Sequence, residues 1–249
     1  MFQSKTVIIT GSGAGIGRAA AIQFARLGAN VVVNSVSGSG QAVCDEITAM
    51  GYSALFVPAD ISIAEEAKHL VDCTVEQFKG IDILVNNAGI VPSGTIEEVT
   101  ESEWARAMDV NVKSVFLMSK YCLPYLRQSK GVIVSTTSTV AIKGVVNRAL
   151  YSATKGAVLA LSRSMAAEYV KDSVRVNCVC PGTVMTPSFQ SRVTNSENPE
   201  RALRDFIARQ PMGRLGTAEE IAAAIIFASS SDVAFMTGVN LVIDGGMTI

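Results

Sequence analysis

Tyr151 and Lys155 stand four residues apart in a stretch of helical periodicity, Leu150–Tyr169, so both side chains project from one helix face. A phenol of pKa about 10 is a poor base at neutral pH, but an ammonium one turn away favours its ionised form. A phenol tuned in this way can take a proton from an alcohol, or return one to a carbonyl oxygen. Upstream, Ser138 ends the run Ser135-Thr136-Thr137-Ser138, where a hydroxyl can hydrogen-bond the reacting oxygen. Asn111 interrupts the helical run Asp109-Val110-Asn111-Val112; an amide there competes with backbone bonding and can hold a water. Arg148, three residues before Tyr151, and Arg192 and Arg209 in a polar segment further on carry the planar fork that grips a carboxylate. Each of the three also reads as an exposed, solubilising side chain. A single histidine, His69, excludes a His-Glu-x-x-His zinc motif and argues against a Ser-His-Asp triad.

The elements that must hold these residues follow from the hydrophobic pattern. Strand candidates are Thr6–Thr10, Val31–Asn34, Ala54–Pro58, Ile81–Asn86, Val132–Ser135, Val174–Val179 and Val239–Ile243. Helix candidates lie near Gly15–Leu27, Gly40–Met50, Ala64–Phe78, Ser102–Leu126, Leu150–Tyr169 and Ala218–Ser229. Strands apolar on both faces, alternating with amphipathic helices, predict a parallel sheet covered on each side. Seven strands and six helices consume the chain, so one doubly wound, Rossmann-like α/β domain over residues 1–249 is expected rather than two domains. The exception is a polar insertion, Thr183–Gly216, with a short helix expected around Glu197–Gln210; insertions of this size often close over a site. Between the first strand and first helix runs Thr10-Gly11-Ser12-Gly13-Ala14-Gly15-Ile16-Gly17. Glycines there let the backbone turn sharply against a pyrophosphate, and the helix N-terminus favours that anion.

The spacing Gly11-x3-Gly15-x-Gly17 resembles the fingerprint of the short-chain dehydrogenase/reductase family. Three further signatures follow in order: Asn86-Asn87-Ala88-Gly89, Tyr151-Ser152-Ala153-Thr154-Lys155 and Pro181-Gly182. The resemblance covers essentially the whole chain. It implies NAD(P)-dependent hydride transfer between a secondary alcohol and a ketone, with Asn111, Ser138, Tyr151 and Lys155 as the catalytic tetrad. It implies cofactor contacts at Gly11, Ser12, Gly15, Ile16 and Gly17 in the loop, and at Asn87 and Gly89. Tyr151, Lys155, Pro181, Val184 and Thr186 would complete the nicotinamide side, while Asp60 with Ile61 would meet the adenine. At the end of the second strand, Ser35 stands where NAD-using relatives usually carry Asp. The absence of an acid there favours NADP over NAD by removing repulsion, although no Arg or Lys follows to attract a 2′-phosphate and Ala14 replaces a basic residue common in NADP users. Arg18, one turn further, could help only by folding back.

The strings Asn147-Arg148, Ser191-Arg192 and Asp205-Phe206-Ile207-Ala208-Arg209-Gln210 are similar to the cytosolic type 2 hydroxybutyrate dehydrogenase branch, and bacterial deoxy-sugar-acid dehydrogenases look alike here. In that branch the matching arginines, with Ser138 and Tyr151, bind a small hydroxy- or oxo-carboxylate. Ser35 departs from the branch. Other activities stay open: a 3-oxoacyl carrier-protein reductase, or a dinucleotide sensor without catalysis, although sensors tend to lose the Tyr or Lys retained here. The family's tetramer implies apolar contact faces on the fourth and fifth helices and the last strand; the same faces could simply cover the sheet.

Composition bounds the partners. Lys+Arg 21 against Asp+Glu 22 gives a net charge of −1, which argues against a nucleic-acid binder. The longest purely apolar run, Ile221–Ala228, falls far short of the roughly 18 residues of a membrane span. No signal peptide is recognisable, and five scattered cysteines suit a reducing, cytoplasmic setting. Cys178 and Cys180 alternate on one strand face, but no second pair completes a zinc site, so no metal is expected.

Overall fold

The computed structural model describes residues 1–249. Seven strands form the main sheet: β1 (Thr6–Ile9), β2 (Asn30–Ser35), β3 (Ala54–Pro58), β4 (Ile83–Asn86), β5 (Val132–Thr136), β6 (Arg175–Pro181) and, from near the C-terminus, a strand at Asn240–Ile243. Every pairing is parallel, and the order is β3-β2-β1-β4-β5-β6 followed by Asn240–Ile243. Register follows the apolar runs, with Val7 opposite both Val31 and Ile83.

Side-chain alternation sorts each strand between two cores. Val7 and Ile9 pack with α1 (Gly15–Arg26) and with a late helix, Ala218–Ser229. Ile8, between them, joins the opposite core with α3 (Ala64–Phe78) and the Leu117–Cys122 region. α2 (Ser39–Ala49) completes the first layer. Because β2 and β4 flank β1 on opposite sides, the chain reverses direction across the sheet there, opening a crevice at the strands' carboxyl ends.

Two expectations need correction. The single helix over Ser102–Leu126 is α4 (Glu101–Met108), a π turn at Asp109–Lys113, and α5 (Ser114–Ser129). Apolar spacing cannot distinguish a one-residue widening from continuous α-helix, and such turns recur at functional sites. α6 (Ala149–Tyr169) follows β5 as expected.

The insertion holds two helices, not one. After β7 (Val184–Met185) comes α7 (Pro187–Thr194), then α8 (Pro199–Ala208), before β8 (Gly216–Thr217), α9 (Ala218–Ser229) and β9 (Asn240–Ile243). Each insertion helix starts with a polar cap and a proline: the Thr186 hydroxyl accepts from the Phe189 N–H at 3.2 Å, and Asn198 accepts from the Arg201 N–H at 2.9 Å. β7 and β8 pair in parallel and close the insertion's base. Its apolar side chains, Phe189, Val193 and Leu215 with Leu203, Phe206 and Ile207, form a small core separate from the two main ones. No helix is long and apolar enough to cross a membrane.

Candidate active site

The glycine loop is built by close approach. Gly11 sits at φ +63°, and a Cβ there would lie 2.7 Å from the Ala88 Cα. A Cβ on Gly17 would meet the Gly11 carbonyl at 2.5 Å. Thr10 clamps the facing loop, its Oγ1 accepting from the Asn87 and Ala88 N–H groups at 3.0 and 3.1 Å. Asn87 answers by donating Nδ2 to the carbonyls of Thr10 and Gly11. The α1 N-terminus has no side-chain cap, and its first N–H groups lack intrahelical partners. Gly11, Ala14, Gly15 and Ile16 therefore present uncapped amides and a positive helix end to the crevice, which fits the pyrophosphate of a dinucleotide.

Several expected cofactor contacts are placed differently. Ser12 is fully buried: its hydroxyl donates to the Ile9 carbonyl and accepts from the Asn34 N–H, so it ties β1 to β2 instead of facing the crevice. The Ser35 hydroxyl accepts from the Gly40 N–H at 3.0 Å and donates to the Ser37 carbonyl, so its one proton is committed inside the β2–α2 turn. Arg18 does not fold back; it pairs with Glu46 at 2.6 Å. Asp60 accepts from the Ser62 N–H and hydroxyl at the end of β3, beside the buried Ile61. Ser35, Asp60 and Ile61 line the carboxyl edge of the sheet outside the main cavity, while Asn87, Gly89, Pro181, Val184 and Thr186 lie on its wall with the loop glycines.

At the other end of this cavity, of about 370 Å³, stand Ser138, Tyr151 and Lys155. Ser138 follows β5 and opens a short turn, Thr139–Ala141; α6 carries the other two. Lys155 is buried and donates Nζ to the Thr136 carbonyl at 2.8 Å, with Nζ 5.8 Å from the Tyr151 ring centre. Burial lowers the Lys155 ammonium to about 8.

Burial raises the Tyr151 phenol above its ordinary range, and the groups that oppose this are Arg192, the neighbouring Ser138 hydroxyl and Arg148. The expected acidification by Lys155 is outweighed in the free protein: desolvation dominates, and Arg192 and Arg148 supply the opposing charge. Asn111 bonds backbone, as an amide in a helix does. Its Oδ1 accepts from the Ile90 N–H at 2.8 Å, and Nδ2 donates to the Ile90 carbonyl and to Thr154 Oγ1. The side chain clasps the loop after β4 to α6.

The three arginines reach this cavity from three segments. Arg148 precedes α6 and donates to Ser93 Oγ at 2.6 Å and to the Asn147 carbonyl at 2.7 Å. Arg192 lies near the end of α7, and Arg209 caps α8. None forms an ion pair with a carboxylate, and Arg192 Nε is buried without a partner. Burial lowers all three guanidinium pKa values; Arg192 and Arg209 add to the effect at Arg148, and Arg209 at Arg192. Asp205 opposes the effect at Arg209 without forming an ion pair with it; a set without a direct carboxylate partner suits an anion.

Met247 and Phe206 are among the wall residues that escaped the sequence reading as site residues. Met247 accepts a contact from Thr139 Oγ1 at Sδ, and its carbonyl accepts from Lys143 Nζ. Phe206 lines the insertion side. Met247 had a legible signal, since segments leaving the carboxyl end of a sheet strand form the crevice in such folds.

This arrangement of sheet, glycine loop and Tyr–Lys helix defines a class, and comparison names it. A family model described as enoyl-(acyl carrier protein) reductase matches residues 11–248. The chain is 47% identical to an uncharacterized oxidoreductase of Thermotoga maritima, covering 99% of this chain and 98% of that one. It is 39% identical to dehydrogenase/reductase SDR family member 6 of Danio rerio, over 97% of this chain and 96% of that one. It is 38% identical to 2-keto-3-deoxy-L-fuconate dehydrogenase of Xanthomonas campestris, over 98% and 80%. The crystal structure of levodione reductase superposes with a TM-score of 0.94 at 34% identity, over 99% and 98%. The protein belongs to the short-chain dehydrogenase/reductase family and is an NAD(P)-dependent oxidoreductase.

Proposed function

We propose that the protein interconverts a secondary alcohol and a ketone on a small hydroxy- or oxo-carboxylate, a class that includes sugar acids, with Tyr151 as the acid/base. The observation that carries this reading is the convergence of Arg148, Arg192 and Arg209, none paired with a carboxylate, on the cavity that holds Ser138 and Tyr151. The resemblance to the hydroxybutyrate dehydrogenase branch and the 38% identity to a sugar-acid dehydrogenase point the same way.

In this reading the arginines grip the carboxylate and so fix which carbon faces the cofactor. The Ser138 hydroxyl steadies the substrate oxygen. Tyr151 Oη takes the hydroxyl proton in oxidation and returns it in reduction. Lys155, held to Thr136, places a cation beside the phenol, and Asn111 fixes α6 against the loop after β4. A dinucleotide held by the Gly11–Gly17 loop and the cavity wall would supply the hydride acceptor or donor.

NADP is proposed over NAD. No acid stands at the end of β2, and the exposed Ser37 and Ser39 hydroxyls, 2.9 Å apart, lie there beside the start of α2. A cytoplasmic homotetramer completes the proposal: all five thiols are free, and Trp104, Phe116, Phe227 and Val239 expose apolar surface on α4, α5, α9 and just before β9.

The test is a screen of hydroxy acids, sugar acids, neutral sugars and acyl thioesters with both cofactors, following the absorbance of reduced nicotinamide. Turnover confined to acids, with NADP preferred, is expected. Preference for neutral alcohols or thioesters overturns the substrate assignment.

A further inference from the structure

The insertion repeats one short pattern, Phe189-x-x-Arg192 in α7 and Phe206-x-x-Arg209 at the end of α8. Residues three apart share a helix face, so each arginine can lie back over its own ring. The Arg209 guanidinium carbon stands 4.5 Å from the Phe206 ring centre, and that of Arg192 stands 5.9 Å from Phe189. The two rings meet edge to face, with centres 5.0 Å apart and planes at 78°.

The pair is anchored from both sides. Phe189 is buried in the insertion's own core. Gln210, also buried, donates Nε2 to the Phe206 carbonyl and accepts at Oε1 from the Thr183 N–H, which pins the end of α8 to the loop leaving β6. A free arginine samples many rotamers, and ordering it on binding weakens an anion site. Stacking on a fixed ring removes much of that freedom beforehand, without neutralising the charge as a carboxylate partner would.

We propose that Phe206, braced edge to face by Phe189, is a positioning device that holds Arg209 aimed at the substrate's anionic group, so that selectivity for acids depends on the aromatic geometry of the insertion as well as on the charges. The proposal rests on the carboxylate reading above. It makes Phe206 a positioning residue that acts through Arg209.

Calorimetric titration of the NADPH-loaded protein with malonate, a small unreactive carboxylate, tests it apart from turnover. Arg209→Ala and Phe206→Leu each weaken malonate binding about tenfold, while Phe206→Tyr, which keeps the ring, stays within about twofold of wild type. The double variant Phe206→Leu/Arg209→Ala binds no worse than Arg209→Ala alone, because both changes remove the same contact. NADPH affinity, read by fluorescence, is unchanged throughout.

Malonate binding by Phe206→Leu as tight as wild type, with Arg209→Ala weakened, overturns the positioning role and leaves the anion site standing. Additive losses in the double variant, or a fall in NADPH affinity with Phe206→Leu, overturn it too by showing a role apart from Arg209. Indifference of malonate to Arg192→Ala and Arg209→Ala, or no binding by wild type, removes the carboxylate reading itself.

Discussion

Replacing Arg192 with Ala separates two roles that the structure gives one guanidinium. The first is binding. Arg192 lines the cavity with a buried, unpartnered Nε, so its natural complement is the substrate anion. A hydrogen bond to a charged group contributes about 1.5–3 kcal/mol, which is roughly ten- to 150-fold in kcat/KM for an acid. Relief of repulsion with Arg148 and Arg209 offsets part of this, so a loss near the lower end, about tenfold, is expected.

The second role is electrostatic. Arg192 is the foremost charge opposing the burial that raises the Tyr151 phenol, so its loss raises the phenol further. Oxidation needs the phenolate, and its rate falls as pH drops through that pKa; the acid limb of the oxidation profile therefore moves to higher pH. Initial rates on an accepted acid and on its methyl ester, across the neutral and alkaline range, separate the two roles. The acid shows both the KM increase and the limb shift; the ester shows only the shift. An unchanged KM for the acid together with an unmoved limb refutes both.

Lys155→Met abolishes turnover yet stabilises the fold near neutrality, because it removes a buried ammonium. In wild type that group is depressed from 10.5 to about 8, so between those values the unfolded chain binds the extra proton and folding stability rises with pH. The melting-temperature advantage of the variant should shrink as pH climbs through that window, and a constant difference contradicts this. Gly11→Ala places a Cβ 2.7 Å from the Ala88 Cα on a backbone at φ +63°, and the left-handed conformation alone costs about 1–2 kcal/mol. Dinucleotide affinity and melting temperature should both fall; calorimetry showing neither would mean the two loops can separate freely. If the missing acid at Ser35 decides cofactor choice, Ser35→Asp weakens NADPH binding relative to NADH by fluorescence titration, and an unchanged ratio argues against it.

What could be read in the sequence was whatever periodicity and spacing encode. Both-sided apolar strands such as Val31–Val33 announced a parallel sheet, and Gly11, Gly15 and Gly17 announced a loop that only glycine can thread. The π turn at Asp109–Lys113 was hidden, because Val112 inside it and Val115 just after it keep a helical apolar spacing through the widened turn. α7 was hidden because eight residues opened by Thr186-Pro187 look like polar loop until they find Leu215 to pack against.

Hydroxyl roles were the least legible. Ser12 and Ser35 both sit beside an anion-binding loop, and only the carbonyl and N–H groups brought near them show that one joins strands and the other closes a turn. The arginines could be named from similar strings, but their mutual repulsion and their effect on Tyr151 depend on distances that no spacing encodes.

The central claim is that Tyr151 moves the proton while the rest of the cavity binds. Single-turnover rates of Tyr151→Phe, with dinucleotide affinity measured on the same preparation, test it most directly. The account predicts a loss of at least about a hundredfold in the transfer step, the scale of a general acid/base, with affinity unchanged. Transfer at near wild-type rate from the phenylalanine variant would contradict it.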